Sequence, residues 1–115
     1  MSINRPSGAA TETMTPGALL ERIERADAPI VVDVRSAAEF GAGHVPGAVH
    51  IPFISVLTGS ADVPADPSAT IVIYCGHGPR AWLAGAALRR RGYQHVISLA
   101  GHWAAWRGAG LPEER

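Results

Sequence analysis

The sequence is poor in residue types that define several protein classes: it has one cysteine and no lysine. A lone cysteine excludes a disulfide within the chain and is typical of a reducing compartment. All ten positive side chains are arginines, and ten carboxylates balance them, so the formal net charge is zero. Without a broad electric field, the chain is not expected to bind nucleic acid or a membrane surface.

Long apolar stretches are missing as well, so no membrane-spanning segment is predicted. The first eight residues lack the apolar centre of a secretory signal, which favours a cytoplasmic location. Histidines, carboxylates and the thiol do not fall at metal-ligand spacing, and we expect neither a metal nor another cofactor. The composition, with 47% hydrophobic and 17% charged residues, is typical of a globular protein. We predict a flexible N-terminal tail at residues 1–12 and a single domain at 13–115.

Apolar β-branched runs alternate with helical patterns along the predicted domain. Strands are predicted at 30–34, 48–52, 71–74 and 96–99. Helices are predicted from Thr15, over 36–40, 53–57 and 80–91, and from 100 to near Gly108. The inner face of helix 80–91 is expected to consist of Leu83, Ala84, Ala87 and Leu88. Strands that alternate with helices through short links predict an α/β fold, with a mostly parallel sheet of about five strands in a three-layer α/β/α arrangement.

The most informative segment is the six-residue loop between the strand at 71–74 and the helix that follows it. It reads Cys75-Gly76-His77-Gly78-Pro79-Arg80, and Ala81 comes next. The glycines let the backbone approach a ligand closely, and the N–H groups at the helix start form a nest for negative charge. Donors are expected from residues 76–78, 80 and 81, whereas Pro79 has no N–H. Such surroundings stabilise a thiolate, so the loop predicts an exposed, reactive Cys75.

Four stretches, in this order, resemble the rhodanese-homology domain family. The first two are Asp33-Val34-Arg35 at a strand end, and Glu39-Phe40 with Gly43-His44-Val45-Pro46-Gly47-Ala48 and Ile51-Pro52. The last two are the loop 74–80, and Gly101 with Trp106 followed by Gly110-Leu111-Pro112. Each is a weak pattern alone, but four in the right order are a strong signal. The resemblance covers about 16–112 and implies a rhodanese-like fold.

The resemblance also implies a sulfurtransferase that needs no cofactor. Cys75 would attack the outer sulfur of a donor such as thiosulfate, release sulfite and hold the sulfur as a persulfide. A thiophilic acceptor, such as cyanide or a thiol, would then remove it. The loop 76–81 would bind the donor and stabilise the persulfide anion, with Arg80 on a sulfonate-like oxygen. The oligomeric state is not indicated.

Two other classes of function stay open. One is a thiol phosphatase or arsenate reductase, and the other is a non-catalytic module that binds a partner or senses sulfide. Related phosphatase loops hold a larger oxyanion in seven residues, Cys-x5-Arg, whereas here Arg80 comes one residue sooner. The tighter cradle favours a single sulfur atom over a phosphate.

Supporting side chains are predicted around the loop. Asp33 and Arg35 are expected to form a structural pair at the carboxyl edge of the sheet, rather than an acid–base couple. His44 is expected to anchor its glycine-rich loop by hydrogen bonds. Trp82 is either a pocket wall or an outward, partner-facing side chain, and His77 either contacts the donor or lends only its N–H.

The chain also departs from the family pattern. Ala81 stands where the family commonly has serine, and His102 stands at the usual second glycine of a Gly-Gly pair. Together with His77 and Trp82, His102 would narrow the pocket and alter donor preference. Trp103 and Trp106 are predicted to pack in the core. The arginine run 89–91 is interpreted as a helix end, rather than as a patch for an anionic partner.

Overall fold

The computed structural model describes residues 12–115. Five strands and five helices alternate through this part of the chain. They are β1 (Thr13–Met14), α1 (Pro16–Glu24), β2 (Ile30–Asp33), α2 (Ala37–Ala42), β3 (Val49–His50), α3 (Phe53–Thr58), β4 (Thr70–Tyr74), α4 (Pro79–Arg90), β5 (His95–Leu99) and α5 (His102–Gly108). The tail predicted at 1–12 lies outside the described residues apart from Glu12, so its flexibility stays a prediction.

The five strands form one parallel sheet in the order β1-β5-β4-β2-β3. This confirms the predicted α/β fold with a mostly parallel sheet. Strand β1 was not predicted. It contains two residues, Thr13 and Met14, which pair with Ser98 and Leu99 of β5. Two residues are too few to show the alternating pattern of a strand.

Alternate residues of the central strand β4 face two different cores. Ile71 and Ile73 pack with residues of α3 and α4, whereas Val72 and Tyr74 pack with residues of α1 and α5. The helices therefore cover both faces of the sheet, as the three-layer prediction requires. The same alternation continues to Cys75, whose side chain falls on the α3–α4 face with Ile71 and Ile73.

The predicted helix starts are confirmed at α1 and α2. The Thr15 hydroxyl accepts from the Ala18 N–H at 3.1 Å, with Pro16 as the first helical residue. Ser36 caps α2 through a reciprocal pair of bonds with Glu39. This capping box fixes where Glu39 stands, which matters for the site below.

The inner face of α4 was predicted correctly only in part. Ala84 and Leu88 are fully buried, but Leu83 is 44% exposed, and Ala81 and Gly85 are buried instead. In a helix this rich in alanine and glycine, small residues allow close approach to the sheet. The positions of the leucines therefore do not show which face of α4 packs on the sheet.

The arginines at the end of α4 hold backbone carbonyl groups of neighbouring elements. Arg89 donates to the Val96 carbonyl at 3.1 Å, and Arg91 donates to the Val56 carbonyl. These contacts support the structural interpretation of the run 89–91 over a patch for an anionic partner. Among residues 12–115, no helix is long and apolar enough to cross a membrane.

Candidate active site

The loop 75–80 begins where β4 ends, at the carboxyl edge of the sheet, and the first turn of α5 holds it in place. The Trp103 N–H donates to the Cys75 carbonyl at 2.9 Å, and the Ala104 N–H donates to the Gly76 carbonyl at 3.2 Å. The start of α5 therefore fixes the position of the loop. This gives the Gly101–Trp106 signature a physical role that its sequence did not reveal.

The sulfur of Cys75 lies beneath the loop and accepts a hydrogen bond from the Gly78 N–H at 3.1 Å. The residue has no exposed surface, so the prediction of an exposed thiol is wrong. Burial follows from the strand alternation, which turns Cys75 to the same face as Ile73. The prediction of backbone N–H groups around the sulfur agrees with the structure at Gly78.

Two further N–H groups of the predicted nest are available to a ligand. Within the described residues, 12–115, the N–H groups of Gly76 and His77 meet no backbone or side-chain acceptor. Those of Arg80 and Ala81 lie in the first turn of α4, where a helix supplies no acceptor of its own. Backbone N–H groups are therefore concentrated at this turn, as the binding of an anion requires.

The guanidinium of Arg80 is held by the carboxylate of Glu39. Nη1 donates to Oε1 at 2.8 Å and Nη2 donates to Oε2 at 3.3 Å, which ties the loop to α2. This bond with Arg80, followed by the Ser36 N–H, lowers the pKa of Glu39 from 4.5 to about 2. Glu39 in turn raises the pKa of Arg80, and Cys75 adds a smaller effect in the same direction.

Glu39 is a site residue that sequence reasoning missed. A positive charge at a helix N-terminus is unfavourable alone, so Arg80 requires a bound anion or a carboxylate as its partner. Glu39 supplies that carboxylate. Its position in the upstream signature, next to Phe40, was the available signal, but the 41-residue separation hid the pairing.

Replacing this carboxylate by an amide (Glu39→Gln) is expected to change how the free energy of unfolding depends on pH. Because folding lowers the pKa of Glu39 to about 2, its ionised form stabilises the native state above about pH 4.5, and this contribution is lost as the pH falls towards 2. Urea unfolding of both proteins should give a constant difference in free energy above about pH 5, and a shrinking difference below it. The difference should be small, since both side chains are more than one-third exposed. A difference that stays constant down to about pH 2 would contradict this account.

Asp33 and Arg35 form the predicted structural pair. Arg35 Nη2 donates to Asp33 Oδ2 at 2.7 Å, and the same nitrogen donates to the Gly43 carbonyl at 2.7 Å. The guanidinium also lies 4.6 Å from the ring centre of Trp103. Both charged groups are buried, at 0% and 3% exposure of the side chains. They are therefore placed to hold the loop at Gly43 and the Trp103 ring, rather than to exchange protons with a substrate.

His44 anchors its glycine-rich loop, as predicted. Its Nδ1–H donates to the Phe40 carbonyl at 2.8 Å, and its ring stacks on the Phe40 ring at a centroid distance of 3.7 Å. Its backbone exchanges two hydrogen bonds with Glu114. His44 does not belong to the wall of the cavity described next.

A cavity of about 520 Å³ opens over the loop, and residues of α2, α4 and α5 line it together with the loop. Its wall consists of Glu39, Gly76, His77, Arg80, Trp103, Ala104, Arg107 and Gly108. The predicted contact residue His77 belongs to it, but Trp82 does not and is 59% exposed. Trp82 therefore points outward and is not part of the wall of this cavity, and a partner-facing role for it stays a prediction. Pro79 is exposed, and the Ala81 side chain is buried in the core.

The wall contributed by α5 was not predicted. Trp103 was expected in the core, where it is 9% exposed, yet its ring also borders the cavity. Arg107 adds a positive group at the rim and lies 3.4 Å from a Glu113 carboxylate oxygen. The Trp spacing showed that the helix has a buried face, but it did not show which loop that helix meets.

Comparison with known proteins adds independent information. The sequence profile described as the rhodanese-like domain matches residues 15–109. A sulfurtransferase of Allochromatium vinosum is 34% identical over 94 residues, which are 82% of this chain and 86% of that protein. The thiosulfate sulfurtransferase GlpE of Pseudomonas fluorescens is 34% identical over 85 residues, which are 72% of this chain and 74% of GlpE. The crystal structure of the Alr3790 protein from Anabaena sp. superimposes with a TM-score of 0.76 at 29% identity, covering 88% of this chain and 90% of that one.

Proposed function

The chain belongs to the rhodanese-like domain family, and we propose that it is a sulfurtransferase that carries sulfur on Cys75. The observation that carries the proposal is the hydrogen bond from the Gly78 N–H to the Cys75 sulfur, at the base of a six-residue loop. An N–H group that points at this atom stabilises the negative charge of the Cys75 thiolate. Relatives that are named sulfurtransferases support the reaction class.

We propose thiosulfate as the donor class, with Cys75 as the nucleophile. The Cys75 thiolate attacks the outer sulfur, a new S–S bond forms, and the bond to the sulfonate sulfur breaks. The electron pair leaves with sulfite, and a persulfide anion remains on the enzyme. In the second step cyanide or a thiolate attacks the outer persulfide sulfur, and the Cys75 thiolate is restored. Because the chain has no second cysteine, the acceptor must be another molecule.

The loop and the cavity wall take complementary roles in this proposal. The free N–H groups of Gly76 and His77 would bind the oxygens of the donor, and Arg107 would add positive charge at the rim. Glu39 accepts from both terminal nitrogens of Arg80, so Arg80 would mainly hold the loop in shape. It would donate to an anion only through the N–H groups that Glu39 does not engage. Since Cys75 is fully buried, the donor must displace part of the loop to reach the sulfur.

The length of the loop ranks the phosphatase alternative. A loop of six residues from Cys75 to Arg80 is shorter than the seven-residue loops that hold phosphate, so we place phosphatase activity second. A cytoplasmic location is also part of the proposal, since a reducing compartment keeps a free thiol such as Cys75 available.

Turnover assays test the proposal directly. The wild-type protein is expected to form thiocyanate from thiosulfate and cyanide, with ping-pong kinetics, because a covalent intermediate separates the two half-reactions. Hydrolysis of an aryl phosphate should stay at the background rate. The reverse result would identify a phosphatase, and no turnover in either assay would identify a non-catalytic module.

A further inference from the structure

His102 has a left-handed backbone conformation, which is uncommon for residues other than glycine. Its φ is +57°, in the left-handed region, and it follows Gly101, which has a φ of +72°. Glycine takes this conformation freely, whereas a residue with a side chain is strained there. Such strain persists only where contacts with the surrounding structure hold the residue in place. The side chain at position 102 therefore calls for an explanation that glycine would not need.

The imidazole of His102 lies beside both residues that fix the sulfur. The Cys75 N–H donates to its Nδ1 at 3.3 Å. On the other side of the ring, Nε2 lies 3.5 Å from the point where a side chain on Gly78 would begin. Gly78 is the residue whose N–H donates to the Cys75 sulfur. One ring thus holds the backbone of the nucleophile and lies against the turn that supplies its hydrogen-bond donor.

We propose that His102, in its neutral form, is a positioning residue for sulfur loading on Cys75. The inference rests on the proposed function, since it concerns the rate of the first half-reaction. Accepting the Cys75 N–H requires a lone pair on Nδ1, so the ring proton must be on Nε2. A protonated imidazole carries hydrogen on both nitrogens and cannot make this bond. The anchor is therefore released in acid.

The surroundings of His102 favour the neutral ring at pH 6.5 and above. Burial, followed by the nearby His77, lowers the pKa of His102 from its ordinary value of 6.5. His77 belongs to the loop that the His102 ring holds through the Cys75 N–H. The anchor should therefore persist at pH 6.5 and be lost only as the pH falls further.

Two substitutions separate a positioning role from simple tolerance of histidine. His102→Gly relieves the left-handed strain and removes the acceptor. His102→Asn keeps an acceptor oxygen at the place of Nδ1, tolerates the left-handed conformation, and does not titrate. Both variants suit the native backbone, so folding is expected to survive, and far-UV circular dichroism checks this. The measurement is the rate of persulfide formation on Cys75, followed by intact mass in single-turnover reactions with thiosulfate.

At neutral pH we expect His102→Gly to load sulfur about tenfold more slowly than wild type, because misplacement of a reacting group slows the reaction steeply. His102→Asn should retain most of the wild-type rate. As the pH falls below 6.5, the ratio of the Asn rate to the wild-type rate should rise. The ratio of the Asn rate to the Gly rate should stay flat.

The results that would contradict the role of His102 differ from the result that would contradict the proposed function. If the wild-type protein fails to load sulfur, the proposed function is wrong. If the wild type loads and His102→Gly loads as fast or faster, the positioning role is wrong, and position 102 merely tolerates histidine. A ratio of Asn to wild-type rates that does not change with pH would also overturn it.

Discussion

Cys75→Ser is expected to lose sulfur loading completely. After treatment with thiosulfate, the wild-type chain should gain one sulfur atom, about 32 Da, and the variant should gain nothing. Serine retains the shape of the side chain and can still accept from the Gly78 N–H that bonds the sulfur at 3.1 Å. Its hydroxyl is not ionised at neutral pH and cannot form the S–S bond. Turnover with thiosulfate and cyanide should therefore fall to the background rate.

The same experiment distinguishes a lost nucleophile from a lost fold. Because Cys75 is buried among apolar residues, the melting temperature of the variant is measured beside its mass. A folded variant without the mass gain supports Cys75 as the sulfur carrier. If the variant still gained about 32 Da, the sulfur would be held elsewhere and the proposed chemistry would be wrong. Serine at this position leaves every backbone contact of the loop available, so the comparison isolates the sulfur atom.

Local rules predicted most of the elements because each one is encoded in a few neighbouring residues. The cap at Thr15 and Pro16, the β-branched run 71–74 and the glycine turn before α4 all act over short distances. Strand β1 escaped prediction because its two residues are ordered by β5, which lies more than 80 positions away. The burial of Leu83 was predicted wrongly because contact with the sheet selects the face of α4, and the helix pattern alone does not.

The site was predictable as a loop but not as a cavity. The run 75–80 carries its own chemistry in adjacent residues, and its glycines and arginine are readable without a structure. The cavity wall combines Glu39 with Trp103 and Arg107, which meet only after α2 and α5 reach the same edge of the sheet. The burial of Cys75 was deducible in retrospect, since it continues the alternation of Ile71 and Ile73.

Asp33→Asn is expected to cause the largest loss of stability of any single substitution considered. Removing one partner of a buried ion pair typically costs about 3–5 kcal/mol, because the other charge remains buried and uncompensated. Here that charge is Arg35, whose side chain is 3% exposed. A domain of this size has an unfolding free energy of only about 5–15 kcal/mol. Urea unfolding followed by tryptophan fluorescence measures the loss.

An exposed pair on the same chain provides the matched control. Asp27 lies 3.7 Å from Arg22, but its side chain is 67% exposed, so Asp27→Asn should lower the free energy of unfolding by less than about 1 kcal/mol. The double variant Asp33→Asn/Arg35→Met removes both buried charges and should recover part of the loss, because no unpaired ion remains. Equal losses at Asp33 and Asp27 would show that burial does not govern the pair. A double variant less stable than Asp33→Asn would instead show that the contacts of Arg35 with Gly43 and Trp103 contribute more than its charge costs.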